Sequence, residues 1–353
     1  MIKVNSLKDM TNLPYDAVVF IGRFNPPHHE HLNIICRAFE TLSHKVIIII
    51  GSAGKPRSYK NPFFENEREN LIITSLLHDY GHHTTQTENF HIFHSIDYIY
   101  DNKKWADEIK KQVKTVTAET DKIAIIGHRK DQSSFYLDLF PEYDLIEQPM
   151  TQNLSSTDIR KLYFKESPNL NFLSGVITDS VSEFLKEFSE TEDFQMLVRE
   201  REYEENYKKP FSLLPYPPVF VTADAVVFSG NQILLIERAN EPGKGLLALP
   251  GGFLDANSDA SLQDAMFREL KEETGLELTE KDITEFNVFD AIDRSSRGRV
   301  ITMAYTLNVP DRFLHQVIAS TDAKTVDWYP ISSLNRRQFF EDHFEIISQC
   351  GGF

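Results

Sequence analysis

AVVFIGRFNPPHHEHLNIICRAFETLSHKVIIII, residues 17–50, begins and ends in apolar, mostly β-branched runs. Residues 17–21 and 46–50 lack polar alternation, so each reads as a short strand buried on both faces. Between them Leu32, Ile35, Phe39 and Leu42 recur at helical spacing over residues 31–42. Strand, helix and strand with wholly apolar strands predict a parallel βαβ unit. A third run, Ile123 to Ile126, stops at Gly127 and extends the same sheet, and helical patterns cover 65–78, 105–113 and 179–188. The expected fold of this half is α/β, a parallel sheet covered by helices on both faces.

The pattern changes near residue 190. SETEDFQMLVREREYEENYKK, residues 189–209, is densely charged, and PFSLLPYPPVF follows with four prolines. A charged helix running into a proline-rich stretch marks a boundary. Beyond it come alternating strands at 219–228 and 232–237, then a strong helix over 261–274, an α+β pattern. The expected organisation is a domain at 1–190, a linker at 191–218 and a second domain at 219–353.

A chain of 353 residues with 41% hydrophobic side chains can fill two cores. Its net charge of −16 repels phosphate backbones and argues against general nucleic-acid binding. A locally basic pocket for a small anion stays compatible with that charge. Two cysteines, Cys36 and Cys350, supply neither a disulfide framework nor a metal motif. The N-terminus lacks a signal-peptide core, and the longest aliphatic run is too short to span a bilayer. A cytoplasmic protein with no membrane partner is expected; a homo-oligomer is allowed.

GRFNPPHHEH, residues 22–31, sits where ligands bind in open α/β sheets, beyond a strand's carboxyl end and at a helix N-terminus. Gly22 permits a tight turn, and His28 and His31 lie three apart, able to face one anion. In NLSSTDIRKL, residues 153–162, Ser155, Ser156 or Thr157 would cap a helix and Arg160 would lie in its first turn, which together suit a phosphate.

These stretches resemble the HxGH and ISSTxxR motifs of the nucleotidyltransferase superfamily, with a Rossmann-like parallel sheet. The similarity is closest to the nicotinamide mononucleotide (NMN) adenylyltransferases of archaeal and bifunctional type. SAGKPRSYKNPFFENERENLI, residues 52–72, and IIGHRKDQSSFYLDLFP, residues 125–141, resemble further family segments. The resemblance implies that NMN and ATP give NAD and pyrophosphate. It assigns the ATP site to Gly22, Arg23, Phe24, His28, His31, Gly127, Lys130, Asp131, Ser156, Thr157 and Arg160. His28, His31 and Arg160 would be catalytic, with His31 nearest the α-phosphate. Asn102 and Trp105 would receive nicotinamide, the indole stacking on the pyridinium. Glu30 departs from the motif's glycine; beside a triphosphate its charge is unfavourable unless turned away or paired.

LPGGFLDANSDASLQDAMFRELKEETGL, residues 249–276, places Glu269 and Glu273 one helical turn apart, with Glu272 bordering their face. Clustered carboxylates suit a divalent cation bridging to a diphosphate. The string resembles the Nudix box, GX5EX7REUXEEXGU, in an αβα sandwich domain. The resemblance implies metal ligands at Glu269, Glu272, Glu273 and the Gly251 carbonyl, with Glu269 and Glu273 catalytic. Mg2+ would serve both activities, with Mn2+ as the alternative, and ADP-ribose would be hydrolysed. Counting forward from Gly252 puts the first box glutamate at Ser258, and counting back from Arg268 puts it at Ala260. The loop is therefore two residues longer than the motif, and Asp259, between the two positions, is the expected substitute. The reading is a bifunctional enzyme of NAD metabolism acting on ATP, NMN, NAD and ADP-ribose. The alternatives are adenylyl transfer to another acceptor and a Nudix domain that senses ADP-ribose without cleaving it.

Overall fold

The computed structural model describes residues 13–83, 88–127, 132–148, 155–317 and 323–352. The chain divides into two compact units, Met1–Arg57 with Asn61–Gln195, and Ser58–Lys60 with Met196–Phe353.

In the first unit the strands are β1 (Ala17–Gly22), β2 (Val46–Ile50), β3 (Phe90–His94), β4 (Ile123–Gly127) and β5 (Asp144–Glu147). They form one sheet in the order β3-β2-β1-β4-β5, and every neighbouring pair is parallel. Each central strand sends alternate residues to opposite faces. Val18, Phe20, Ile48 and Ile50 pack on one side with Leu32, Ile35 and Phe39 of helix α1 (His29–Thr41). Val19, Ile21, Ile47 and Ile49 pack on the other with Ala106, Ile109 and Val113 of α3 (Asn102–Lys114). All of β2 is buried, and at roughly 1.5–3 kcal/mol per buried aliphatic side chain it is a main source of this unit's stability. Helix α2 (Glu65–Thr74) continues into a wider π-helical turn, Ser75–Asp79. Helices α4 (Ser156–Tyr163) and α5 (Asp179–Phe188) follow. The strand order reverses between β1 and β4, which puts the crevice for a ligand beyond those two carboxyl ends.

Helix α6 (Glu192–Lys208) carries the charged segment. The second unit has a mixed sheet ordered β10-β11-β6-β7-β12, with β8 on β7 and β9 on β6. These are β6 (Val219–Ser229), β7 (Gln232–Arg238), β8 (Leu247–Ala248), β9 (Gly251–Phe253), β10 (Ile283–Phe289), β11 (Arg299–Asn308) and β12 (Ala323–Pro330). The β6–β11 pair is parallel and the others are antiparallel. Helix α7 (Leu262–Thr274) buries Ala265, Met266 and Leu270 against Ala223, Ala225, Val227 and Leu234 of the sheet. Helix α8 (His343–Gly351) buries Ile346 and Ile347. Among the described residues no helix is long and apolar enough to cross a membrane.

Candidate functional sites

The loop after β1 is shaped by its own side chains. Phe24 takes φ 50, is buried and packs edge-on to Phe20 and His31. Its ring closes over Gly22, where an added Cβ would lie 2.8 Å from it. Asn25 bridges to the 61–64 segment, donating to the Phe63 carbonyl at 3.3 Å and accepting from the Phe63 N–H at 3.2 Å. His28 stands at the N-cap of α1 without capping it. Its ring lies 3.8 Å from that of His31, centre to centre. Desolvation pulls the His31 pKa well below its ordinary value, and the neighbouring His28 adds to this. His31 is therefore neutral at pH 7, with Nδ1 shielded from water and unpartnered. Glu30 lies in the first turn of α1, where the helix dipole favours an acid.

The second motif meets this loop. Ser155 caps α4 in a reciprocal box with Asp158. Ser156 Oγ donates to the Pro26 carbonyl at 3.0 Å, and Arg160 Nη1 donates to the Asn25 carbonyl at 2.7 Å. Arg160 Nη2 reaches Thr157 Oγ1 at 3.2 Å. Distant stretches of sequence thus build one surface of imidazoles, hydroxyls and a guanidinium, suited to a polyphosphate. Arg23 is exposed beside it, and Gly127 ends β4 at the same switch point. Lys130 and Asp131 lie outside the described residues. Asn102 is the exposed first residue of α3, and Trp105, partly buried, packs edge-on to Tyr136 and Phe140.

Arg68 escaped the sequence reading although it sits inside the quoted 52–72 stretch. It is fully buried. Its Nη1 donates to the carbonyls of Arg23 at 2.6 Å and Gly51 at 2.7 Å, and Nη2 donates to that of Ser52 at 3.2 Å. One guanidinium therefore ties together the chain ends beyond β1 and β2. Burial pushes its pKa down to about 10. The available signal was a charged residue on the apolar side of α2, next to Leu71 and Ile72.

In the second unit, two glycines bring β9 against acids. A Cβ at Gly251 would lie 2.4 Å from Asp224 Oδ1, and one at Gly252 would lie 2.3 Å from Glu269 Oε1. The Gly251 N–H donates to Glu273 Oε2 at 2.9 Å. Burial pushes the Glu273 pKa up to about 8, against the Gly251 hydrogen bond, with Glu269 and Asp224 repelling the ionised form. Burial also raises Glu269. Asp224 is raised to about 6 by burial, opposed by Arg294 and by the hydrogen bond from Thr302.

Arg268 organises the rest. It grips Asp259 with two bonds of 2.8 Å, from Nε and from Nη2. It also bonds Glu269 at 2.8 Å and Glu272 at 3.1 Å through Nη1. Arg268 holds the Asp259 carboxyl down to about 2, while Ala260 faces solvent. Among the described residues no three His, Cys, Asp or Glu side chains already converge as a metal cage. Glu269 and Glu272 are instead turned to Arg268. The donors are nevertheless hard oxygens whose mutual repulsion a divalent cation relieves, so the residues fit such an ion.

Sequence reasoning also missed the supports behind this site. Arg294 pairs with Asp342 through two bonds of 2.9 Å, both groups buried. His343 Nδ1 accepts from the Leu249 N–H at 3.0 Å, anchoring the segment that carries Gly251. These partners lie far apart in sequence and share no motif spacing.

Comparison with known proteins divides the chain in the same way. The Cytidylyltransferase-like family matches residues 19–162 and the NUDIX domain matches residues 218–350. A crystal structure of a bifunctional NMN adenylyltransferase/ADP ribose pyrophosphatase from Francisella tularensis aligns with TM-score 0.85 and 36% identity, covering 96% of this chain and 99% of that one. A second structure of that protein holds AMP and a Mn ion, at TM-score 0.84 and 35% identity, covering 96% of this chain and 100% of that one. A nicotinamide/nicotinic acid mononucleotide adenylyltransferase of Acinetobacter baylyi is 33% identical over 184 residues, 52% of this chain and 92% of its own length. An ADP-ribose pyrophosphatase of Methanocaldococcus jannaschii is 37% identical over 139 residues, 39% of this chain and 76% of its own.

Proposed function

The chain belongs to the family of bifunctional NMN adenylyltransferase/ADP-ribose pyrophosphatases, and from that premise we propose how its own residues carry out both reactions. The first unit joins NMN to the adenylyl group of ATP, giving NAD and pyrophosphate. The second hydrolyses ADP-ribose to AMP and ribose 5-phosphate. One observation supports the pairing: in the first unit Ser156 and Arg160 meet the loop after β1, and in the second Gly251 and Gly252 bring β9 against Asp224, Glu269 and Glu273.

In the first reaction an NMN phosphate oxygen attacks the α-phosphorus of ATP, and the bond to the β-phosphate bridging oxygen breaks. No protein nucleophile is required, so positioning and charge stabilisation dominate. Arg160, Ser156 and Thr157 hold the β- and γ-phosphates. His31, with His28 beside it, faces the α-phosphate, where an imidazole N–H can donate to the oxygens gaining charge. Gly22, Arg23, Phe24, Gly127, Lys130 and Asp131 border ATP, while Asn102 and Trp105 receive nicotinamide. Trp105 is already wedged edge-on by two aromatic rings, which leaves its face direction defined before NMN arrives.

In the second reaction Glu269, Glu272, Glu273 and the Gly251 carbonyl hold Mg2+ or Mn2+. A bound divalent ion neutralises diphosphate charge and acidifies water. Asp259, in place of the box glutamate, occupies Nε and Nη2 of Arg268, so that only Nη1 competes with a metal ion for Glu269 and Glu272. These retained carboxylates favour hydrolysis over ADP-ribose sensing. Mg2+ accompanies ATP in the first reaction as well, and a cytoplasmic location fits both substrates. Product analysis tests the reading. Phosphorus NMR should show pyrophosphate and NAD from NMN plus ATP, and AMP with ribose 5-phosphate from ADP-ribose. Absence of either product pair would remove that half of the assignment.

A further inference from the structure

Two guanidinium groups of the second unit lie over aromatic rings. Arg238 closes β7. Its Nε donates to the Pro242 carbonyl at 2.9 Å, and its guanidinium carbon lies 4.0 Å from the Phe340 ring centre. Burial pulls its pKa below the ordinary guanidinium range, and Arg297 pushes the same way. Among the described residues Arg238 has no ion-pair partner. Arg297 lies 5.1 Å from the Phe253 ring centre and 5.7 Å from that of Phe340. Its Nε donates to Ser295 Oγ at 3.4 Å, and its one carboxylate, Glu341, is loosely placed at 3.8 Å from Nη2.

The rings are rigidly mounted. Phe340 is 3% exposed, and its N–H donates to the Leu247 carbonyl at 2.9 Å. Phe253 follows Gly252 in β9 and so moves with the metal-binding segment. Both cations act on the acid cluster through their charge: Arg238 favours the ionised form of Glu273, and Arg297 that of Asp224.

A cation on an aromatic face keeps its charge and its in-plane donors, unlike one locked to a carboxylate. Desolvating such a cation is unfavourable until an anion arrives. The diphosphate of ADP-ribose is a diester with two negative charges, and two fixed guanidinium forks match it. We propose that Arg238 and Arg297 clamp that diphosphate, opposite the carboxylates that would hold the divalent ion. The proposal rests on the reading of this unit as an ADP-ribose hydrolase. It adds groups that contact the anion directly, whereas the box carboxylates engage it only through a metal ion.

The clamp binds the ground state as well as the transition state, so its loss acts chiefly on KM. In the full chain, Arg238→Met should raise KM for ADP-ribose about 10- to 100-fold, the scale of losing charge-assisted hydrogen bonds. AMP and adenosine serve as competing ligands. AMP inhibition should weaken by a similar factor while adenosine inhibition stays unchanged, and Arg238→Lys should recover part of the loss. A purely structural staple would move AMP and adenosine equally and lower kcat with the melting temperature. Arg297→Met repeats the test independently should Arg238→Met fail to fold. Unchanged KM in both Met variants, or equal weakening of AMP and adenosine, overturns the clamp. Wild-type chain inert towards ADP-ribose would instead overturn the hydrolase reading, a separate outcome read before any variant is made.

Discussion

Asp259→Ala asks whether one side chain has taken over a displaced motif position. In the wild type Arg268 divides its donors between Asp259, at 2.8 Å twice, and the pair Glu269 and Glu272, at 2.8 and 3.1 Å. Asp259 is ionised throughout the working range because Arg268 holds it down to about 2. Removing it frees Nε and leaves Nη2 only its 3.2 Å bond to the Phe253 carbonyl, so the guanidinium can turn further towards the two carboxylates that a divalent ion needs. Arg268 then competes more strongly with the ion. Loss of a partner that orients ligands typically costs 10- to 100-fold in metal affinity or activity, so the Mg2+ half-saturation should rise by about that factor. Much of the rate should return at saturating Mg2+, since the ligands themselves are intact. Ala260→Glu, on a position that faces solvent, should leave the titration unchanged. Steady-state ADP-ribose hydrolysis across a Mg2+ series reads both variants. An Asp259→Ala curve superimposing on wild type, or a shifted one for Ala260→Glu, would refute the reasoning.

Three further outcomes are expected. Arg68→Met should destabilise the first unit by on the order of 3 kcal/mol, measured by denaturant unfolding, because buried carbonyls at Arg23, Gly51 and Ser52 lose their donor; a change within error would show the clamp is dispensable. His31 is neutral when free, and a bound triphosphate favours its charged form, so ATP binding should take up protons and tighten as pH falls from 8 to 6. Calorimetric binding heats independent of buffer ionisation would contradict that. Glu200, accepting from the Tyr59 N–H at 2.7 Å, has its pKa raised by burial from 4.5 to about 8. The folded state holds this proton across that window and the unfolded state does not, so Glu200 destabilises increasingly as pH rises to 8. Glu200→Gln should therefore gain melting temperature at pH 8 and little at pH 5, and an equal gain at both would sink the assignment.

The central βαβ unit was legible because strands buried on both faces show an uninterrupted apolar signature. Edge strands β3 and β5 were not read, since FHIFH and DLIE mix polar with apolar residues and leave one edge unpaired. Spacing pointed to His28 with His31, to the 155–160 cap and to the carboxylates of 269–273, family resemblance supplied the other site residues, and contacts such as Arg160 with Asn25 join two of these stretches. Arg238, Arg297, Asp342 and His343 were silent in sequence. Their meaning comes from burial and from partners on other strands, and neither leaves a local period. Asp259 lies between the two: the count of the box put it in view, and only the Arg268 geometry separates it from its neighbours Ser258 and Ala260.

The most direct test of two separable activities in one chain is a double dissociation in the full-length protein. His31→Ala should lower NAD synthesis by about 2–4 kcal/mol of barrier, the scale of losing one donor to a developing oxyanion, and leave ADP-ribose hydrolysis at wild-type rate. Glu273→Gln should cut hydrolysis by at least about 100-fold and leave NAD synthesis untouched. Near-normal NAD synthesis in His31→Ala, near-normal hydrolysis in Glu273→Gln, or loss of both activities in either variant would contradict two independent sites built from these residues.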